Sequence, residues 1–309
     1  MATFAASIKK ALSSQSTLID RREHCSLDPE RLISMGAVPG GQLRVKRNAQ
    51  EYALFTASET RAESDDRTVR MALAARERLG TTEEFDAVVD TRVPHPTLTD
   101  AEAEEQSEFV ERLDDNGSQN HLAVLAPHGG AIEENTDLQA ERLAALLGAD
   151  QASAWRCRGF KRGGGAFERW HITATEIHES SFPLLNKIRG RGFAHAVAFH
   201  GFSEQEVLIG GGAPFLLKRV ISFALEDALA GSGIPVRIAT GTDGLDGDSP
   251  NNIVNRITRC GTHGIQIEQS LRARTERWAE IAEAVASVYR RVLCFTTVEG
   301  YLQVHAELL

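Results

Sequence analysis

Cysteine is scarce. Cys25, Cys157, Cys260 and Cys294 are the four in 309 residues, and no two stand in a C-x-x-C pair. That spacing excludes a zinc ribbon or a thioredoxin-type redox motif and leaves four separate thiols, which point to a reducing compartment such as the cytoplasm. Long apolar runs are missing too. None approaches the roughly 20 residues that span a bilayer, so no membrane partner is expected. The N-terminus, "MATFAASIKKALSSQSTLID", lacks the uninterrupted apolar segment of a secretory signal. It is Ser-rich and free of acids before Asp20, like an organelle transit peptide, but it reads as a frayed terminal segment.

Positive charge is also short. Lys and Arg number 34 against 43 Asp and Glu, a formal net charge of −9, and "RVKR" (44–47) is only a short basic stretch. No nucleic-acid partner is expected. The net charge does not fix the substrate's charge, because a negative surface can surround a positive cleft. The glycine runs "RGGGAF" (162–167) and "IGGGAP" (209–214) match neither G-x-x-x-x-G-K-[ST] nor G-x-G-x-x-G. They read as tight turns, not phosphate loops.

Hydrophobic residues at 42% and charged residues at 25% suit a packed core, in one large domain or two smaller ones. In the first third, "GGQLRVKRNAQEYALFTASE" alternates around Leu43, Val45, Tyr52, Leu54 and Thr56, which predicts a β-hairpin. "RTVRMALAARERLG" reads as a short helix ended by Gly80, and "EFDAVVDTRVPHP" as a strand stopped by Pro94 and Pro96. In "TLTDAEAEEQSEFVERLDDNGSQN", Thr99 and Glu102 form a capping box. The helix they open is expected to run up to the turn-rich "DDNGSQN". The division is therefore residues 1–117, a small β-rich module with a terminal helix, and residues 118–309.

Strands and helices alternate in the second part. "HLAVLAP", "RWHITAT", "FAHAVAFHG", "EVLIGG", "PVRIAT" and "GIQIEQS" read as strands. "TDLQAERLAALLG" reads as a helix with a capping box at Thr136 and Gln139 and a stop at Gly148. "APFLLKRVISFALEDALAGSG" and "RARTERWAEIAEAVASVYRRVL" carry apolar residues at helical spacing. The alternation predicts an α/β fold with helices on both sides of a sheet.

Ligands in such sheets bind beyond the carboxyl ends of the strands. Three strands end in residues able to ligate or to move a proton: His128, His200 and Glu268. In "LAVLAPHGGAIEENT", Gly129 and Gly130 let the backbone fold back so that His128 and Glu133 can converge. With His200 they make a His-Glu-His set, and zinc hydrolases take three such ligands and keep a position for water. Glu268 is then the candidate general base. Taken singly, each histidine is also what an ordinary turn residue looks like, and Glu268 a solvated or salt-bridged carboxylate. His171, in "WHITATEIHESSF", is a candidate for orienting a ligand or touching substrate, and equally for a core histidine. His195 has the opposite strand parity to His200. Asn255 and Arg256 are candidates for holding a carboxylate, since an arginine fork binds one bidentately; the alternative for Arg256 is a helix-surface residue. The basic stretch "WRCRGFKRGGGAFERWH" suits either an anionic substrate or a solvated loop.

The segments "APHGGAIEENTD", "RWHITATEIHESSF", "AVAFHGF" with "VLIGGG", and "NNIVNR" with "GIQIEQS" and "RAR" occur in that order over residues ~120–290. Together they resemble the poly-γ-glutamate hydrolase family, which is similar to the zinc carboxypeptidases and has a mixed sheet between helices. The resemblance implies Zn2+ as cofactor, with His128, Glu133 and His200 as its ligands and Glu268 as the base. It implies amide hydrolysis at γ-linked glutamate, hence an anionic polymer or peptide-like substrate. Zinc carboxypeptidases carry an Asn-Arg pair before their second histidine, so Asn255 and Arg256 match by residue type and not by position. Residues 1–117 lie outside the resemblance. Two alternatives are a related zinc deacylase or peptidase acting on a small substrate, and a non-catalytic binding protein of the same fold. The first more often shows His-x-x-Glu than the His-x4-Glu seen here; the second is disfavoured by the presence of all four residues. Oligomeric state, and endo against exo cleavage, are not legible.

Overall fold

The structure, a computed structural model, describes residues 2–294. The described residues divide into two compact units: 2–110 with 159–187, and 111–158 with 188–294. Residues 159–187, expected in the second part, therefore pack with the first. The division falls at Val110, ahead of the expected 117, because the sheet of the second unit begins there.

The first unit is a closed six-stranded barrel. Its strands are β1 (Thr3–Lys10), β2 (His24–Leu27), β3 (Gln42–Lys46), β4 (Tyr52–Thr60), β5 (Thr68–Met71) and β6 (Phe85–Asp90), in the order β1-β5-β2-β4-β3-β6, closed by β6 against β1. Short helices α1 (Pro29–Ser34) and α2 (Leu73–Glu77) interrupt it, and α3 (Asp100–Gln106) follows. β3 and β4 form the expected antiparallel pair. The N-terminal segment is not frayed. Ala6 and Ile8 enter the barrel core with Leu43, Phe55 and Val89, and β1 pairs with β5 and β6, some 60 to 90 residues away. The Thr99–Glu102 capping box is present, but the helix stops at Ser107, which adopts φ 59°. The remainder of the expected helix is β7 (Phe109–Asp114). "RWHITAT" is not a strand either: three left-handed glycines, Gly163, Gly164 and Gly165, lead into α5 (Ala166–Trp170). Trp170 anchors this segment, its ring centroid 5.5 Å from that of Tyr52 and 5.4 Å from that of Phe109. Helix α6 (Pro183–Ile188) follows.

The second unit is built on a mixed seven-stranded sheet. To β7 it adds β8 (Leu122–Gly130), β9 (Ala152–Gly159), β10 (His195–Gly201), β11 (Val207–Gly210), β12 (Val236–Ile238) and β13 (Gly264–Gln269), ordered β12-β11-β13-β10-β8-β9-β7. β8, β10 and β13 run parallel, and β11 is antiparallel to β13. The helices flanking it are α4 (Thr136–Leu147), α7 (Phe215–Ala228), α8 (Ile253–Arg256), α9 (Leu271–Glu276) and α10 (Trp278–Val292). The long C-terminal helix expected from periodicity breaks at Arg277, whose φ of −134° separates α9 from α10. Helix α4 starts from Asn135, at φ 68°, without the Thr136–Gln139 box. Gln139 instead exchanges two amide hydrogen bonds with Gln269, at 2.7 and 2.9 Å.

One packing fact places the chemistry. Val197 and Phe199 of β10, and Ile265 and Ile267 of β13, join Leu217, Ile221, Ile281 and Val285 of α7 and α10 in a single core. Strand side chains alternate between faces, so Ala198, His200, Gln266 and Glu268 point to the opposite face. His195 shares the face of α10, its ring centroid 6.0 Å from that of Tyr289. No helix among the described residues is long and apolar enough to cross a membrane.

Candidate metal centre

β8 is apolar up to Ala126 and then reaches His128, which is buried. The chain returns at once: the Glu133 N–H donates to the His128 carbonyl at 2.8 Å. Gly130 supplies a left-handed residue, φ 71°, and its N–H donates to Asp137 Oδ1 at 3.0 Å. Gly129 is required for space. A Cβ there would lie 2.3 Å from Asp137 Cβ and 2.7 Å from the Cys157 carbonyl oxygen. Gly129→Ala should therefore destabilise the protein by about 3 kcal/mol, the upper range for overpacking. Urea unfolding reads this directly, and a loss under about 0.5 kcal/mol, the size of an ordinary surface substitution, would show that the turn has slack.

β10 delivers the second histidine. His200 is the register partner of Glu268 on β13, so the two stand side by side on the same face. Gly201 then donates its N–H to Glu133 Oε2 at 3.0 Å, which ties the two loops together. His128 Nδ1 lies 3.1 Å from Glu133 Oε1, His200 Nδ1 lies 3.5 Å from Glu133 Oε2, and the two Nδ1 atoms are 3.3 Å apart. All three residues are at most 4% exposed. Ligands at zinc's usual bond lengths sit roughly 3.3 Å apart along a tetrahedron edge. Three donors already converge at that spacing. Two imidazole nitrogens facing each other beside a carboxylate are a poor hydrogen-bonding group but a good cation site.

The electrostatics agree. Burial acts to raise the Glu133 carboxyl, but the charges and hydrogen bonds of His128 and His200 outweigh it and hold it well below the usual carboxylate range. Glu268 moves the other way, to about 7. Burial is the main cause and Glu133's negative charge adds to it, while His200, His128 and a hydrogen bond from Gln266 oppose it. One carboxylate is thus held ionised, as a metal ligand would need to be, and its neighbour stands where a proton can be taken up and released near neutral pH.

Of the residues singled out from sequence, His128, Glu133, His200 and Glu268 come together. Asn255 does not offer its amide to a ligand. It is completely buried; both amide hydrogens go to the Gly247 and Ser249 carbonyls at 2.9 Å, and Oδ1 accepts from the Gly212 N–H at 2.9 Å. Arg256 donates to the Asn251 carbonyl at 2.8 Å. His171 belongs to the first unit, where it ends α5, stacks on Phe167 and places Nδ1 2.8 Å from Glu23 Oε1. The basic stretch after residue 154 begins in β9, where Arg156 pairs with Asp114 and Glu141, and Arg158 with Asp137 at 2.7 Å; residues 162–165 then form an exposed turn before α5. Sequence reasoning passed over Arg274. It packs flat on Gly201, where a Cβ would fall 2.3 Å from its Nε, and it donates to the Glu134 carbonyl at 3.2 Å. Asn135 Nδ2 donates to the Arg274 carbonyl at 2.9 Å. The residue therefore braces the Glu133 loop from α9. Its sequence signal was its place in the "RAR" segment (272–274) of the resemblance, to which no role was given.

Two histidine nitrogens and a carboxylate, with a second carboxylate alongside, make a group able to hold a metal, and the family match makes the protein a hydrolase. The poly-gamma-glutamate hydrolase family matches residues 97–295, and the chain belongs to that family. Among solved structures it is similar to the zinc-free form of YNDL, with 26% identity over 60% of this chain and 90% of that one and a TM-score of 0.47. It is also similar to a bacteriophage poly-gamma-glutamate hydrolase, with 24% identity over 66% of this chain and 98% of that one, again at 0.47. A metallo-carboxypeptidase from Burkholderia cenocepacia aligns with 10% identity over 82% and 80% of the two chains, at 0.39. No curated protein matches the chain.

Proposed function

We propose that this hydrolase is zinc-dependent and cleaves the γ-glutamyl bonds of poly-γ-glutamate or a similar acidic, peptide-like polymer. The observation that carries the metal is the convergence of His128 Nδ1, His200 Nδ1 and the Glu133 carboxylate within 3.1–3.5 Å in a buried setting. Family membership supports the substrate. When bound, zinc supplies Lewis acidity toward a carbonyl oxygen and acidifies water. His128, His200 and Glu133 would hold it. Glu268 Oε1 is engaged by Gln266, so Oε2 takes the proton from the attacking water and passes it to the leaving nitrogen. The Gly201 N–H keeps Glu133 Oε2 in place throughout.

The test is to incubate zinc-loaded protein with poly-γ-glutamate and with poly-α-glutamate of equal length, following new primary amines and chain length. Amine release from the γ-linked polymer alone supports the proposal. Release from neither polymer, in protein carrying about one zinc per chain, would refute the substrate assignment.

A further inference from the structure

We propose that Gln266 is a positioning residue that fixes which oxygen of Glu268 works as the base, and that Asn252 sets the polarity of Gln266. This rests on the reading of Glu268 as the base. Gln266 and Glu268 are two apart on β13, on one face, with exposures of 4% and 5%. Gln266 Nε2 donates to Glu268 Oε1 at 2.9 Å, and Gln266 Oε1 accepts from Asn252 Nδ2 at 2.6 Å.

The direction of this relay is set by a backbone group. Asn252 caps α8, and its Oδ1 accepts from the Val254 N–H at 3.1 Å. A peptide N–H cannot act as an acceptor, so the Asn252 oxygen must face it and the Asn252 nitrogen must face Gln266. The Gln266 oxygen then meets Asn252, and its nitrogen meets Glu268. Glu268 Oε1 becomes a permanent acceptor and Oε2 the working oxygen.

The relay is also clamped. Gly247, at φ 65°, lies flat on the Gln266 amide, and a Cβ there would fall 2.8 Å from Gln266 Cδ. Asn255 holds the Gly247 and Ser249 carbonyls of the same loop. A buried polar chain with every member satisfied holds its side chains in one arrangement. For the base that means one rotamer and one free lone-pair direction.

Two variants test this. Gln266→Met keeps the length and removes the donor. Asn252→Asp keeps the oxygen that caps α8 but presents an acceptor to Gln266, so the amide must turn and offer its oxygen to Glu268. The probe is poly-γ-glutamate with zinc-loaded enzyme, reading kcat, KM, zinc content and melting temperature, beside Glu268→Gln. Both variants should lose about 10- to 100-fold in kcat, the scale of a misplaced catalytic group, with KM and zinc content unchanged. Wild-type kcat in both, with Glu268→Gln inactive, would overturn the relay but leave the base. Turnover in Glu268→Gln would overturn the base itself. Loss of folding or of zinc in both variants would assign the relay a purely structural role and also overturn the inference.

Discussion

Glu268→Gln is expected to cut kcat on poly-γ-glutamate by about 10³-fold or more while zinc content stays near one per chain, because general acid–base catalysis contributes on that scale. The substitution keeps the shape and the acceptor that Gln266 Nε2 meets, and it removes only the proton-accepting oxygen. Its pH signature is specific. Buried beside Glu133, Glu268 stands at about 7, and only its ionised form can take a proton from water. Activity should therefore rise with pH through the Glu268 pKa. Zinc in the neighbouring site favours the ionised form, so the rising limb in the loaded enzyme should have its midpoint at or below 7. The residual activity of the variant should lack that limb. If kcat/KM for Glu268→Gln showed the same acid limb as wild type, another group would be the base.

The second large effect is loss of the metal. Chelation of zinc should abolish hydrolysis and lower the melting temperature, with both restored by adding zinc. Zinc at 100 times its dissociation constant stabilises the fold by about 2.7 kcal/mol, which in a domain of this size is roughly 5–10 °C. The physical reason lies in the site: His128, His200 and Glu133 are at most 4% exposed, and a cation gives three buried polar groups a common partner. His128→Ala should bind zinc at least about 10²-fold more weakly and show no thermal response to it. Differential scanning calorimetry of both proteins with and without chelator decides this. Equal melting temperatures for wild type in the two conditions would mean that the three residues do not hold a metal in solution.

The particular elements show which features were legible in sequence. The apolar strands that end in His128-Gly129-Gly130 and His200-Gly201 could be read directly, since strand cores are apolar runs and glycine marks a turn. The Thr99–Glu102 cap was readable because its partners lie three residues apart. His200 and Glu268 were readable as strand-end candidates, but only the pairing of β10 with β13 sets them side by side.

The tertiary structure decided whatever depends on distant partners. "TFAASIKK" is a strand only because β5 and β6 flank it. Residues 159–187 pack with the barrel because Trp170 finds Tyr52 and Phe109. The long apolar periodicity after residue 271 did not reveal the break at Arg277. Asn255 looked like a substrate-binding residue from its neighbour in sequence, and the fold committed its whole amide to the Gly212, Gly247 and Ser249 backbone. Arg274 had no local pattern to mark it, since its contact with Gly201 is a tertiary one. Residue types and short spacings thus specified the candidate ligands and the candidate base. The supports that hold them in register come from long-range packing, which no local period encodes.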